Sequence, residues 1–359
     1  MKVKNLFLGM FLLAIAGLGT RCSNDRIVDA SGENQSISFR VQGGTPNLRA
    51  PSTTSAYVNA FVVFGTDNVL APSNIFNGIT VTRQPGNADV FDYNPKRYYS
   101  EGATNARFAA YSPVSKKIDI TGAGAGFSYS AGLIFKYEVV DPSIAGGAVG
   151  ETSQEDLLVA GTTITSPSAT PVSLSFTHAL SRIFVKATNN LSENATIKGL
   201  TLHNLNSTGI LTGAPGSPSW TWAWDDLDDV TTYSYVLAES GVAVPANTVA
   251  PGKLVTSMEQ GMMVIPQETH VDDDYGIGGD EPPTITDAPI NDHFALEVTY
   301  NVANLTNQKA YFYLADGYTF DVNTQYAITI AFSGTANLIE INFTIDVGTF
   351  DDDPAGTMP

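Results

Sequence analysis

Cysteine is almost absent from this 359-residue chain: Cys22 is the only one. No internal disulfide can form, and no Cys/His cluster can build a zinc site. Basic residues are scarce too. Eighteen Lys and Arg stand against 36 Asp and Glu, leaving a net charge of −18. Such a chain repels nucleic acid and anionic membrane surfaces. The four histidines, His178, His203, His270 and His293, are scattered, with no i, i+4 pair for a helix to bring together. Each reads as a structural histidine rather than a ligand or a base. Long amphipathic helical patterns are missing. So is any fixed-period repeat, which argues against a solenoid or propeller. There is no G-x-S-x-G and no P-loop. The glycine-rich GAGAGFS (Gly122–Ser128) does not stand between a strand and a helix, so it reads as a flexible turn.

What is present is alternation. Hydrophobic residues make up 43% of the chain, enough for a sizeable core. Short alternating runs recur, broken by Gly, Pro, Asn and Asp. SISFRV (Ser36–Val41) reads as a first strand, and AYVNAFVVFG (Ala56–Gly65) as a longer, more buried one. ARFAAYS (Ala106–Ser112), GLIFKYEVV (Gly132–Val140) and VSLSFTHALSRIFVKATNN (Val172–Asn190) follow. The pattern continues to QYAITIAFSG (Gln325–Gly334) and LIEINFTIDVGTF (Leu338–Phe350). Many short strands with turn signals between them predict an all-β chain of sandwiches, not a parallel sheet with crossover helices. The run Val172–Asn190 exceeds one ordinary strand, so it is expected to end one domain and begin the next. The stretches 42–55 and 270–289 are Gly/Pro-rich or acidic and read as exposed linkers.

Two features invite a functional reading. Trp220, Trp222 and Trp224 alternate in WTWAW, which puts three rings on one face of a strand. That face is either a sugar-stacking platform or part of a core, and aromatic residues favour the core. Three acidic runs, Asp225–Asp229, Asp272–Asp274 and Asp351–Asp353, lack the graded spacing of a calcium loop and read as solvated loops. No cofactor, metal or catalytic residue is expected. A glycosidase would want paired carboxylates on rigid strand ends, and the acids here are expected to cluster in loops.

Residues 1–21 have the layout of an export leader. Lys2 and Lys4 precede the apolar, uncharged Leu6–Gly19, too short for a comfortable membrane span. Cys22 stands at its end, before the polar Ser23-Asn24-Asp25. That position suggests cleavage before Cys22 and lipidation on it, with an ordinary signal peptide as the alternative.

Six stretches in order resemble the fimbrillin family, the type V pilin subunits and adhesins of Gram-negative anaerobes, in its Mfa-like form. They are NLRA (Asn47–Ala50), ARFAAYSP (Ala106–Pro113), QEDLLVA (Gln154–Ala160), LSFTHALSRIFVKA (Leu174–Ala187), MMVIPQ (Met262–Gln267) and QYAITIAFSG. The resemblance implies two transthyretin-like β-sandwich domains in tandem and no enzyme activity. It also implies export as a lipoprotein to the outer membrane and cell surface, cleavage after an arginine, and assembly with other pilus subunits by strand exchange. In this sequence the expected divisions are a leader (1–21), a flexible N-terminal segment (22–35), and sandwiches over 36–180 and 181–359. Ser36–Val41 is the expected removable strand, with Ile37, Phe39 and Val41 facing one core. Arg49 is the expected cut and Cys22 the lipid handle, while Arg40 lies inside the strand and is a poorer site. The alternative is a monomeric surface lipoprotein that binds glycans through loops or the tryptophan face.

Overall fold

The segment Ala60–Asp67 reads AFVVFGTD, with no polar side chain until Thr66. A strand so apolar on both faces must be covered on both. Seven of its eight residues are buried, and the layers of the fold are arranged around it. The computed structural model describes residues 36–349, apart from 42–57, 72, 86–90, 116, 122–124, 140–147, 150–153, 217–218, 236, 238–239, 257–260, 270–293, 315–316 and 336–337. Among the described residues the chain is all β, with no helix.

In chain order the strands are β1 (Phe39–Val41), β2 (Ala60–Asp67), β3 (Phe76–Arg83), β4 (Phe91–Asp92), β5 (Ala106–Ser112), β6 (Ile118–Asp119), β7 (Gly126–Ser128), β8 (Gly132–Glu138), β9 (Ala148–Val149), β10 (Leu158–Ile164), β11 (Val172–Leu174) and β12 (Thr177–His178). They continue with β13 (Ser181–Asn189), β14 (Ala195–Ala214), β15 (Thr221–Tyr235), β16 (Val242–Val244), β17 (Thr248–Leu254), β18 (Met262–Val264), β19 (Gln267–Glu268), β20 (Ala295–Val302), β21 (Leu305–Tyr313), β22 (Thr319–Phe320), β23 (Thr324–Thr335) and β24 (Leu338–Thr349).

A six-stranded sheet, β12-β10-β5-β2-β3-β4, carries β2 near its centre. Side-chain alternation splits its strands between two apolar clusters. Phe61, Val63, Phe108, Ala110, Leu158 and Ala160 enter one cluster, together with Ile37 and Phe39 of the N-terminal segment. Val62, Phe64, Ala109, Tyr111, Leu157 and Val159 enter another, which also holds Phe135, Leu211, Trp220, Met263 and Ile265. A third cluster contains Ile183, Val185, Leu200, Leu202, Val298, Ile328 and Ile330. It lies between the sheet β17-β13-β23-β24 and the strands β14, β20 and β21 of a nine-stranded sheet.

The stretch Val172–Asn190 breaks into three strands that go to three sheets. Among the described residues β11 pairs only with β1, β12 pairs with β10, and β13 pairs with β17, β18 and β23. β14 is 20 residues long. Its first half pairs with β20 and its last third with β8, while β15 runs along the other edge. A register shift between Leu202 and Leu205, where Asn204 has φ of 59°, marks the bend between those halves.

Two sequence expectations are corrected here. Asp225–Asp229 is not a loop: it lies within β15, with Asp225 opposite Ile210 and Asp228 opposite Thr208. The glycine-rich stretch Gly122–Ser128 is not a turn throughout, because Gly126–Ser128 forms β7 and pairs with β8. In both cases a neighbouring strand, β14 or β8, supplies the partner that local composition argues against.

Candidate functional site: the first strand and its groove

Ser36–Val41 alternates as its sequence demands. Ile37 and Phe39 are each 3% exposed, Arg40 is exposed, and Val41 is half-buried against the same cluster. β1 runs parallel to β11, with Phe39 opposite Val172, Arg40 opposite Ser173 and Val41 opposite Leu174. The Val172 N–H donates to the Ser38 carbonyl at 2.8 Å, and Arg40 Nε donates to Ser173 Oγ at 2.6 Å. These two strands form a sheet of their own. Removing β1 therefore breaks no ladder of the six-stranded sheet. It does open an apolar socket beside the free edge of β11, and such edges recruit strands.

The socket is aromatic. The Phe39 ring lies edge-on to Phe61 (5.9 Å between centroids), Phe76 (5.3 Å), Tyr93 (6.0 Å) and Phe108 (5.8 Å). Burying Ile37 and Phe39 contributes on the order of 1.5–3 kcal/mol each, and ring pairs of this kind add roughly 0.5–1.5 kcal/mol. The other side of the strand is closed by the segment 92–99. There the Ile37 N–H donates to the Arg97 carbonyl at 2.8 Å, and the Tyr93 hydroxyl donates to the Ile37 carbonyl. Burial pushes the Tyr93 phenol up to about 12 and drives Tyr99 higher still. Both stay protonated and able to donate. Nothing in the local sequence of 92–99 marks it as part of the site; only its contacts with Ile37 do.

Cys22 and Arg49 lie outside the described residues, as do His270, His293, Asp272–Asp274 and Asp351–Asp353. Val41 and Val58 bracket the stretch that holds Arg49. His178 is buried and its Nδ1 lies 2.7 Å from Asp156 Oδ2. His203 Nε2 lies 3.3 Å from Glu297 Oε2, and Lys309 Nζ is 2.8 Å from the other oxygen of that carboxylate. Burial pushes the Glu297 carboxyl up, but the Lys309 hydrogen bond and charge, with His203, hold it below its ordinary value. Among the described residues no group of three or more His, Cys, Asp and Glu could hold a metal.

The tryptophans do share one face, and that face packs inward. Trp220 is buried, and Trp222 and Trp224 are half-buried against the cluster of Val62, Phe64 and Tyr111. Trp224 Nε1 donates to the Ala179 carbonyl at 2.7 Å, and Trp220 stacks on Trp222 at 6.3 Å. Two glutamines that sequence reasoning placed only inside motifs prove to be buried clasps. Gln154 accepts from the Met263 N–H at 3.0 Å and donates to its carbonyl at 3.1 Å. Gln267 does the same with Asn206, at 2.8 and 3.1 Å, next to the bend in β14.

A family profile described as fimbrillin-like matches residues 49–346. The fold is similar to a fimbrial protein from Bacteroides vulgatus, with a TM-score of 0.57 and 15% identity over 88% of this chain and 100% of that one. The tip fimbrial protein Mfa3 from Porphyromonas gingivalis, with C-terminal truncation, aligns over 86% of this chain and 97% of that one, with 9% identity and a TM-score of 0.42. No curated protein matches.

Proposed function

The chain belongs to the fimbrillin-like family and is a pilus or adhesin subunit of the cell surface, and from that premise we propose how it is carried there and assembled. It is exported as a lipoprotein, cut before Cys22 and held at the outer membrane by lipid on that cysteine. β1 plugs the groove of an N-terminal sandwich (36–180) while the subunit is in transit, and a second sandwich (181–359) follows. Cleavage after Arg49 leaves β1 held only by non-covalent contacts. Its departure exposes the aromatic socket, which a strand from another subunit fills by main-chain pairing and alternate side-chain insertion, without any covalent chemistry. No catalytic step, cofactor or metal takes part.

The observation that carries this reading is the placement of Phe39. It is the most enclosed side chain of a strand that among the described residues pairs with β11 alone, so it can leave without dismantling a larger sheet. The division at residue 180 is supported by β12 and β13, which are separated by two residues yet join different sheets, while β8 and β9 pair across it with β14 and β15. The donor is the C-terminal stretch Leu338–Phe350 of a neighbouring subunit. Of the chain's eighteen phenylalanines, only Phe39 and Phe343 have Ile, Val or Leu at both i−2 and i+2. Ile341-x-Phe343-x-Ile345 thus repeats Ile37-x-Phe39-x-Val41. β24 is an edge strand, and its Phe343 is only half-buried where it lies.

Purified precursor treated with an arginine-specific protease, followed by size-exclusion chromatography, tests the proposal. A ladder of oligomers is expected from wild type and none from Arg49→Ala. Assembly by Arg49→Ala, or cleavage without oligomers, would overturn it. Mass spectrometry of the membrane fraction tests the anchor: a lipid-modified Cys22 is expected, and an unmodified N-terminus there would remove that part of the reading.

A further inference from the structure

β1 is held along both of its edges, and by different means. On one edge β11 pairs with Phe39–Val41. On the other, the segment 92–99 takes hold of Ile37 through its main chain alone: the Ile37 N–H goes to the Arg97 carbonyl, and the Ile37 carbonyl accepts from the Tyr93 hydroxyl. The same hydroxyl accepts the Arg97 N–H at 3.3 Å, so Tyr93 fixes the position of the Arg97 peptide as well as binding the strand. The tyrosine is itself held in place. Its ring packs on Phe76 (5.2 Å between centroids) and Phe39, and the Lys96 ammonium lies 5.0 Å from its centre. Lys96 also pairs with Asp92, one residue before Tyr93.

We infer that Tyr93 and Arg97 form a main-chain-reading clamp, a second wall of the groove that holds whichever strand occupies it at the position of Ile37. The inference rests on the reading that β1 is replaceable. Two consequences follow from the chemistry. At Ile37 the hydrogen bonds of the clamp go to main-chain groups only, so they are indifferent to sequence at that position except proline, which lacks the N–H, while the Tyr93 ring also packs on Phe39 two residues further on. It also fixes polarity. An occupant must offer its N–H to Arg97 and its carbonyl to Tyr93 while the residues two and four further on meet β11, and only a strand parallel to β11 does so. Clamp opening is then a step that every departing or arriving strand must share, and Tyr93 sets its rate.

Native-state hydrogen exchange on the uncut full-length protein tests the clamp directly. Tyr93→Phe keeps the ring and removes only the hydroxyl. Loss of a hydrogen bond of ordinary strength corresponds to roughly a three- to tenfold change. The Ile37 amide is expected to exchange about that much faster in Tyr93→Phe, while the amides of the central strand β5 exchange at the wild-type rate. After cleavage at Arg49, the released N-terminal segment should leave Tyr93→Phe faster by a similar factor. An unchanged Ile37 amide, or equal acceleration of the β5 amides, would overturn the clamp, since the latter would mean that Tyr93 only supports global stability. If the Ile37 amide responds as expected but the cut segment never leaves either protein, the clamp stands and the plug-release reading fails.

Discussion

The Trp220 indole packs so closely on Gly161 that a β-carbon on the glycine would fall 2.3 Å from the ring. Its Nε1 lies 3.3 Å from Thr163 Oγ1, on the same face of β10. The relationship recurs in the nine-stranded sheet: Gly213 of β14 stands opposite Trp222 of β15, and a β-carbon there would again fall 2.3 Å from the indole. Each tryptophan thus covers a glycine that leaves room for it. Gly161→Ala is expected to destabilise the protein by about 1–3 kcal/mol, the usual penalty of overpacking. Urea unfolding followed by tryptophan fluorescence measures it. A change within about 0.3 kcal/mol would mean the seam rearranges freely.

Phe39 is the strand's anchor. Phe39→Ala should cost the uncut protein about 3–5 kcal/mol, as for other buried phenylalanines, and Phe39→Leu clearly less. Chemical denaturation gives both values. If alanine costs under about 1 kcal/mol, β1 contributes little to the groove and cannot serve as its plug.

Gln154 bonds both the N–H and the C=O of the buried Met263, and Gln267 does so for the half-buried Asn206. Replacing either with leucine leaves those groups unpaired, at about 1–3 kcal/mol per substitution. Gln154→Leu should also accelerate amide exchange at Met263 more than in the strands that flank β2, because the clasp acts on that peptide alone. Uniform acceleration would show instead a general loss of packing.

Alkaline titration offers a test that needs no cleavage. Burial raises Tyr93 and Tyr326 from the ordinary 10 to about 12. Between those values the unfolded chain has lost protons that the folded chain still holds. The unfolded state therefore binds fewer protons there, and stability must fall as pH rises from about 10 to 12. Below pH 10 these two tyrosines add no slope. Denaturant midpoints across the range should decline, and Tyr93→Phe should remove part of the decline. A midpoint flat to pH 12 would contradict the burial of both rings.

Much of the architecture was written in local alternation. Ile37, Phe39 and Val41 face one way because a strand repeats every two residues, and the recurring alternation with the missing helical period sets the all-β class. The two-faced apolar run of β2 likewise announced a buried strand. Other features depended on partners far away in the chain. Asp225–Asp229 reads as a loop in isolation, yet it is strand because β14 offers a pairing partner beside it, with a register shift between Thr208 and Ile210. Val172–Asn190 reads as too long for one strand, but that it is divided three ways among sheets depends on its partners β1, β10 and β23. Tyr93 carries no local mark of its role, since the carbonyl it binds is 56 residues earlier. Periodicity fixes which side chains share a face, because that follows from the geometry of neighbouring residues. Which surface meets that face, and which main-chain groups remain to be clasped by a tyrosine or a glutamine, is decided only when distant strands have taken up their hydrogen bonds.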